Sequence, residues 1–134
     1  LLPPTEVADT DRAEVTAHLC QVASGHQPFE LRLLGTGTFR PVTEVVFVAV
    51  TTGRDECMAL ESGIRRGPLD RTLQYPYHPH VTVAHDVTPE ALDAAYAGLA
   101  DFDERFVVDG FTLFQRGPDG RWCPERDFPF ACRS

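Results

Sequence analysis

Residues 77–85, Tyr77-His78-Pro79-His80-Val81-Thr82-Val83-Ala84-His85, hold the densest collection of groups able to do chemistry. If 80–84 is a strand, His80 and Thr82 project from one face while Val81 and Val83 enter the other, because strand side chains alternate. An imidazole and a hydroxyl then stand two residue rises apart and aim at the same space. A neutral imidazole can accept or give a proton near pH 7, and a hydroxyl can hold a phosphoryl oxygen. That is half of a phosphate-handling site. A lone His-x-Thr is a cheap pattern, and an ordinary polar strand face is its alternative; the aromatic, proline-punctuated loop Tyr75–Pro79 ahead of it adds weight. His78 and His80 at i, i+2 also invite a metal. A metallo-hydrolase HxHxDH pattern would want Asp at 82 and His at 83, where this chain has Thr82 and Val83, so no metal is expected.

The elements that must position this stretch are legible along the chain. A lead-in LLPPTEVA is followed by Asp9–Asp11, which offer caps for a helix to about Ala23; Asp11 and Glu14 have capping-box spacing. Val15, His18, Leu19 and Val22 fall on one face of it, with His18 at the core's edge. Phe29, Leu31 and Leu33 alternate with Glu30 and Arg32 as a half-buried strand over 29–34, and Gly35–Pro41 turns the chain. Val45–Val50 is a continuous apolar run, the mark of a central strand covered on both faces. A helix fits Arg54–Arg66, with Cys57, Leu60 and Ile64 inward and Gly67-Pro68 as its stop. Arg65-Arg66 complement that helix's C-terminal dipole and need no ligand. Thr88-Pro89 starts another helix, with Leu92, Ala95, Tyr96 and Leu99 as its buried stripe. Strand character returns at 104–108 and 111–116, and Gly117–Gly120 turns into a hairpin partner over 121–128. Helices mixed with strands joined by short turns predict an α+β fold with mainly antiparallel sheet.

Composition narrows the classes. At 134 residues and 14.9 kDa, one domain over 1–134 is expected, with 43% hydrophobic and 24% charged residues as in globular chains. The net charge is −8, and all 12 cations are Arg, since Lys is absent. Broad binding along a nucleic-acid backbone, which needs a basic face, is therefore disfavoured; one phosphate in a local pocket is not. No apolar run reaches the roughly 20 residues of a spanning helix, and no basic-then-apolar leader opens the sequence. A soluble, cytoplasmic monomer without membrane contact is the expectation. Cys20, Cys57, Cys123 and Cys132 form no CxxC pair and read as ordinary thiols.

The motif PHVTVAH resembles the second signature of the 2H phosphoesterases, the superfamily of 2′-5′ RNA ligase-like proteins and cyclic nucleotide phosphodiesterases. Gly37-Thr38-Phe39-Arg40-Pro41 leading into Val45–Val50, and the closing hairpin with Trp122, are similar to segments of its bacterial 2′-5′ RNA ligase-like branch. The resemblance implies a bilobal fold of two mainly antiparallel sheets flanked by helices, with a His-x-Thr/Ser motif from each lobe facing the other. It implies metal-independent, cofactor-free opening of a 2′,3′-cyclic phosphate on an RNA terminus or small cyclic nucleotide, with reversible 2′-5′ ligation as the same chemistry run backwards. His80 would transfer protons and Thr82 would hold a phosphoryl oxygen. His85 would add positive charge near the phosphate, with a solvated strand end as its alternative. Tyr75, Tyr77 and Phe39 would stack on a nucleobase, or simply pack their loops; Arg40 would reach the phosphate or cap a loop. A catalytically inactive module that grips a nucleotide or RNA end is the alternative function.

Residues 1–134 contain no second His-x-Thr/Ser; His18 precedes Leu19-Cys20 and His26 precedes Gln27-Pro28. In the family the first motif often runs straight into an apolar–proline segment like Leu1-Leu2-Pro3-Pro4. The expectation is that an N-terminal strand and helix, about 40 residues by ordinary element lengths, precede Leu1, and that the 134-residue chain alone is inactive.

Overall fold

A computed structural model describes residues 1–131. Three helices, α1 (Arg12–Ser24), α2 (Arg54–Ile64) and α3 (Pro89–Gly98), alternate with six strands: β1 (Phe29–Thr38), β2 (Val45–Thr52), β3 (His80–His85), β4 (Asp103–Val108), β5 (Gly110–Arg116) and β6 (Trp122–Pro129). Four strands form one sheet in the order β3-β2-β1-β4, and β5 pairs with β6 in a second. The pairings β1–β2, β2–β3 and β5–β6 are antiparallel. The expected α+β class with two mainly antiparallel sheets is what the chain adopts. It divides into two compact units, residues 1–29, 59–76 and 107 onward in one, and 30–58 with 77–106 in the other.

The first unit has its own core. Val15, Leu19 and Ala23 of α1 meet Leu60, Ile64, Leu69, Phe128 and Phe130, with Phe111 and Leu113 of β5 packed against them. The helical spacing of α1 therefore does what the sequence predicts, and His18 donates from Nε2 to the Ile64 carbonyl at 2.9 Å. The capping box does not form. Asp11 makes no side-chain cap bond; a 3-10 turn over Asp9–Asp11, closed by the Asp11 amide on the Ala8 carbonyl at 2.9 Å, leads into the helix instead.

In the second unit the apolar run of β2 is its centre: Val46, Phe47, Val48 and Val50 are all buried. α3 packs on β2 and β3. It starts where Thr88 accepts from the Ala91 amide at 3.2 Å, with Pro89 at its first position. Of its expected apolar stripe only Leu92 is buried; Ala95 and Leu99 are half-buried and Tyr96 is exposed. The helix lies over the outer pair of strands, where one row of side chains finds a covered surface.

Two other expectations are corrected. The chain does not turn at Gly35: β1 continues to Thr38 through an irregularity between Leu33 and Thr36, where Gly35 adopts φ +69°. Glycine absorbs that left-handed conformation without Cβ strain. The turn follows at residues 39–43, where the Val42 and Thr43 amides both bond the Phe39 carbonyl. Val81 and Val83 do not enter a covered face either; they are 45% and 41% exposed. β3 is the outer strand of its sheet, bordered by β2 on one side alone.

Among the described residues Cys20, Cys57 and Cys123 are free thiols; burial pushes the Cys57 thiol pKa up. Cys132 lies outside the described residues. No described helix is long and apolar enough to cross a membrane.

Candidate active site

Strand register decides which side chains share a face. Phe47 pairs with Thr82 and Ala49 with His80, while Val45 pairs with His85. Cross-strand partners stand on the same side of a sheet, so His80 and Thr82 lie on the Phe47 face, two residues apart, as the alternation predicts. Strict alternation would put His85 on the opposite face. It does not, because Val83 is an extra residue in β3 between the Val46–Ala84 and Phe47–Thr82 pairs. This bulge shifts the phase by one. His80, Thr82 and His85 all belong to one row.

Behind His80 stands an aromatic wall. The Phe39 and Phe47 rings present themselves roughly edge-on to the His80 imidazole at centroid distances of 5.0 and 5.2 Å, and touch each other at 4.6 Å. Edge-to-face packing at this separation holds a ring's orientation as well as its position. Phe47 can lie there because position 37 of β1, paired with it, is glycine: a Cβ at Gly37 would meet the Phe47 ring at 2.5 and 2.6 Å. His78 completes the cluster, 5.4 Å from Phe39 and 5.3 Å from Phe47.

The protonation pattern of His80 follows from its backbone partner. Its Nδ1 lies 2.5 Å from the His78 carbonyl oxygen. A carbonyl oxygen only accepts, so Nδ1 carries the hydrogen. Nε2 is left as the ring nitrogen that can take or deliver a proton. The side chain is exposed, and so is Thr82, whose hydroxyl has no partner among the described residues. His78 differs. Its Nδ1 is buried without a hydrogen-bond partner, and burial, the Arg54 charge and the neighbouring His80 hold its pKa below the usual histidine value. It sits there as a neutral ring at pH 7.

The remaining candidates divide. His85 is exposed, and its Nδ1 lies 3.0 Å from an Asp86 carboxylate oxygen. That bond turns Nε2 outward. Arg40 is held: Nη1 meets Asp93 of α3 at 2.8 Å and Nε reaches the Thr38 hydroxyl at 3.3 Å. Phe39 is half-buried against Phe47 and both histidines rather than standing free. Tyr77 is half-buried on the approach to β3, and Tyr75 is exposed. The structure thus brings His80, Thr82, His85, Phe39 and Phe47 together and ties Arg40 to α3. Phe47 and Gly37 were missed in the sequence, Phe47 because it sits inside a run of valines and Gly37 because its neighbours read as a turn. Among the described residues no group of three or more His, Cys, Asp or Glu side chains is arranged to hold a metal ion.

Comparison with known proteins places this arrangement in a family. Residues 1–120 match the model of the 2′-5′ RNA ligase superfamily. A Bacillus pumilus protein provisionally named a phosphoesterase is 32% identical over 124 residues, covering 91% of this chain and 72% of its own. A similarly named Bacillus licheniformis protein is 27% identical over 91% of this chain and 73% of its own. The crystal structure of TT0787 of Thermus thermophilus superposes with a TM-score of 0.58 over 94% of this chain and 73% of that one, at 21% identity, a likeness of fold.

Proposed function

Because this chain belongs to the 2′-5′ RNA ligase superfamily, we propose that it serves a phosphoesterase reaction that opens a 2′,3′-cyclic phosphate on an RNA end or nucleotide without a metal ion. An enzyme of phosphoesterase type is what the superfamily and the similarly named relatives support. The finer reading is carried by one observation: a tautomerically fixed imidazole and an unpartnered hydroxyl share the exposed row of β3.

In this reading water attacks phosphorus as His80 Nε2 takes its proton, and the phosphorus–oxygen bond to one ribose oxygen breaks. That oxygen takes a proton from a second acid, the histidine of a further His-x-Thr or His-x-Ser pair that residues 1–134 do not contain. His80 can equally serve as the acid with the partner as base. Thr82 donates to a non-bridging oxygen, whose charge grows in the crowded transition state, and His85 in its protonated form adds a cation to the same row. With the 5′-hydroxyl of a second RNA end in place of water and the 3′-oxygen as the group that leaves and takes the proton, the same course joins two RNA ends through a 2′-5′ linkage. The role first expected of Phe39, stacking on a base, becomes positioning of His80.

The test is hydrolysis of a 2′,3′-cyclic mononucleotide by the whole protein with EDTA present. Turnover unaffected by EDTA is expected, and His80→Ala should lower it by roughly 10²–10⁴-fold, the usual worth of one acid–base group. A folded wild-type protein that binds the cyclic nucleotide yet never opens it would replace this reading with that of a binding module.

A further inference from the structure

Position 78 holds a side chain that its surroundings do not suit. The His78 ring packs 5.4 Å from Phe39, 5.3 Å from Phe47 and 5.8 Å from His80, centroid to centroid. Its Nδ1 is buried, and no donor or acceptor meets it. A phenylalanine or leucine would fill the same space without stranding a polar atom. A stranded polar atom in a native fold calls for a reason.

The neighbouring histidine supplies one. Residue 78 supports His80 twice: its carbonyl accepts from His80 Nδ1, and its ring closes the cluster of Phe39 and Phe47 against which the His80 imidazole rests. Pro79, between them, is buried, and its pyrrolidine ring fixes φ. A shift at residue 78 therefore passes to His80 instead of being absorbed on the way. In a neutral His78 the hydrogen can sit on Nε2, leaving Nδ1 a bare acceptor. In the charged ring Nδ1 becomes a donor with nothing to accept from it, which is costly away from water.

Nothing nearby offsets that charge. The charged or titratable groups acting on His78 are Arg54, at the start of α2, and His80 on β3. Both are cations when charged, and so repel an imidazolium. Arg40, beside Phe39, is taken up by Asp93 at 2.8 Å. Charging the His78 ring thus favours its leaving the cluster for water.

We propose that His78 is a positioning residue that holds His80 in its working orientation only while its own ring is uncharged, so that a proton on a group outside the chemistry turns the site off. This deepens the functional reading above, on which it rests for the part of His80 in proton transfer.

Two readouts test it, one of them independent of turnover. In the whole protein carrying isotope-labelled histidine, the His80 Nδ1–H proton, bonded to the His78 carbonyl, is followed by NMR from pH 8 to pH 5, with His80→Ala assigning its signal. In wild type the signal should vanish as His78 takes up its proton. In His78→Phe, which keeps a ring in the cluster but cannot charge, it should persist through the protonation of His80 itself. The kcat for a 2′,3′-cyclic nucleotide is measured over the same range, each protein normalised to its own rate at pH 8. The wild-type acid limb should steepen toward about 100-fold per pH unit and that of His78→Phe should stay near about 10-fold, two titrating groups against one. A ring that merely packs would lower the rate by one factor at every pH and leave the slopes alike. Equal slopes overturn the proposal, and so does an Nδ1–H signal that outlasts the protonation of His78 in wild type. That wild-type titration decides the matter if His78→Phe does not fold. A protein whose signal is lost with His78 protonation but which opens no cyclic phosphate upholds the positioning while the catalytic reading falls.

Discussion

Adding a single methyl group at position 37 should damage the histidine without touching it. In Gly37→Ala the new Cβ would stand 2.5 and 2.6 Å from Cζ and Cε2 of Phe47, whereas carbon atoms rest comfortably at about 3.5–4.0 Å. The ring must retreat by about 1 Å. It has little freedom to do so, being 5% exposed and pressed by Phe39 at 4.6 Å. Overpacking of this kind costs typically about 1–3 kcal/mol, which in a domain of this size lowers Tm by roughly 3–12 °C. Phe47 also carries the edge of the His80 ring at 5.2 Å, so the imidazole shifts with it. A displacement near 1 Å at a reacting group is worth up to about 10²-fold in rate. The assay is paired: thermal unfolding, and kcat on a 2′,3′-cyclic nucleotide in the whole protein. The double variant Gly37→Ala/Phe47→Leu clears the overlap, so it should be more stable than the sum of the two single losses predicts, with a coupling of about 1 kcal/mol or more. Wild-type stability and rate in Gly37→Ala, or strict additivity in the double variant, would refute the cradle.

Three further outcomes are expected. Since the folded state holds the His78 pKa down, the unfolded chain binds the proton more readily, and stability falls as pH drops from the ordinary histidine range toward the lowered value; urea midpoints at pH 7.5 and 5.5 should differ less in His78→Leu than in wild type. Glu61 is 2% exposed and meets Arg65 at 2.6 Å, so Arg65→Met, which strands the buried carboxylate, should cost about 2–3 kcal/mol in denaturant unfolding, and Glu61→Gln/Arg65→Met should recover part of it. Residues 1–134 alone should show little turnover of a cyclic nucleotide, since they carry a single His-x-Thr pair; robust turnover would remove the need for a second histidine.

What the sequence disclosed was the local chemistry. His80 and Thr82 share a face because a two-residue spacing on a strand guarantees it, and Thr88-Pro89 starts α3 because cap and proline act within one turn. Leu31 and Leu33 are buried as their alternation requires. What stayed hidden depends on partners far along the chain. The Gly37–Phe47 fit is a cross-strand event, invisible in either segment alone. Likewise the position of His85 turns on one unmatched residue, and a pattern of period two cannot show where the count slips.

That unmatched residue at Val83 has a consequence apart from His85. β3 is the rim of its sheet, with Val81 and Val83 in water, the composition on which a stray strand from another molecule would dock and begin a fibre. A kinked, over-twisted rim offers no straight row of amides for such a neighbour to copy. The same insertion that lines up the polar row would help keep a valine-rich border from polymerising in concentrated solution.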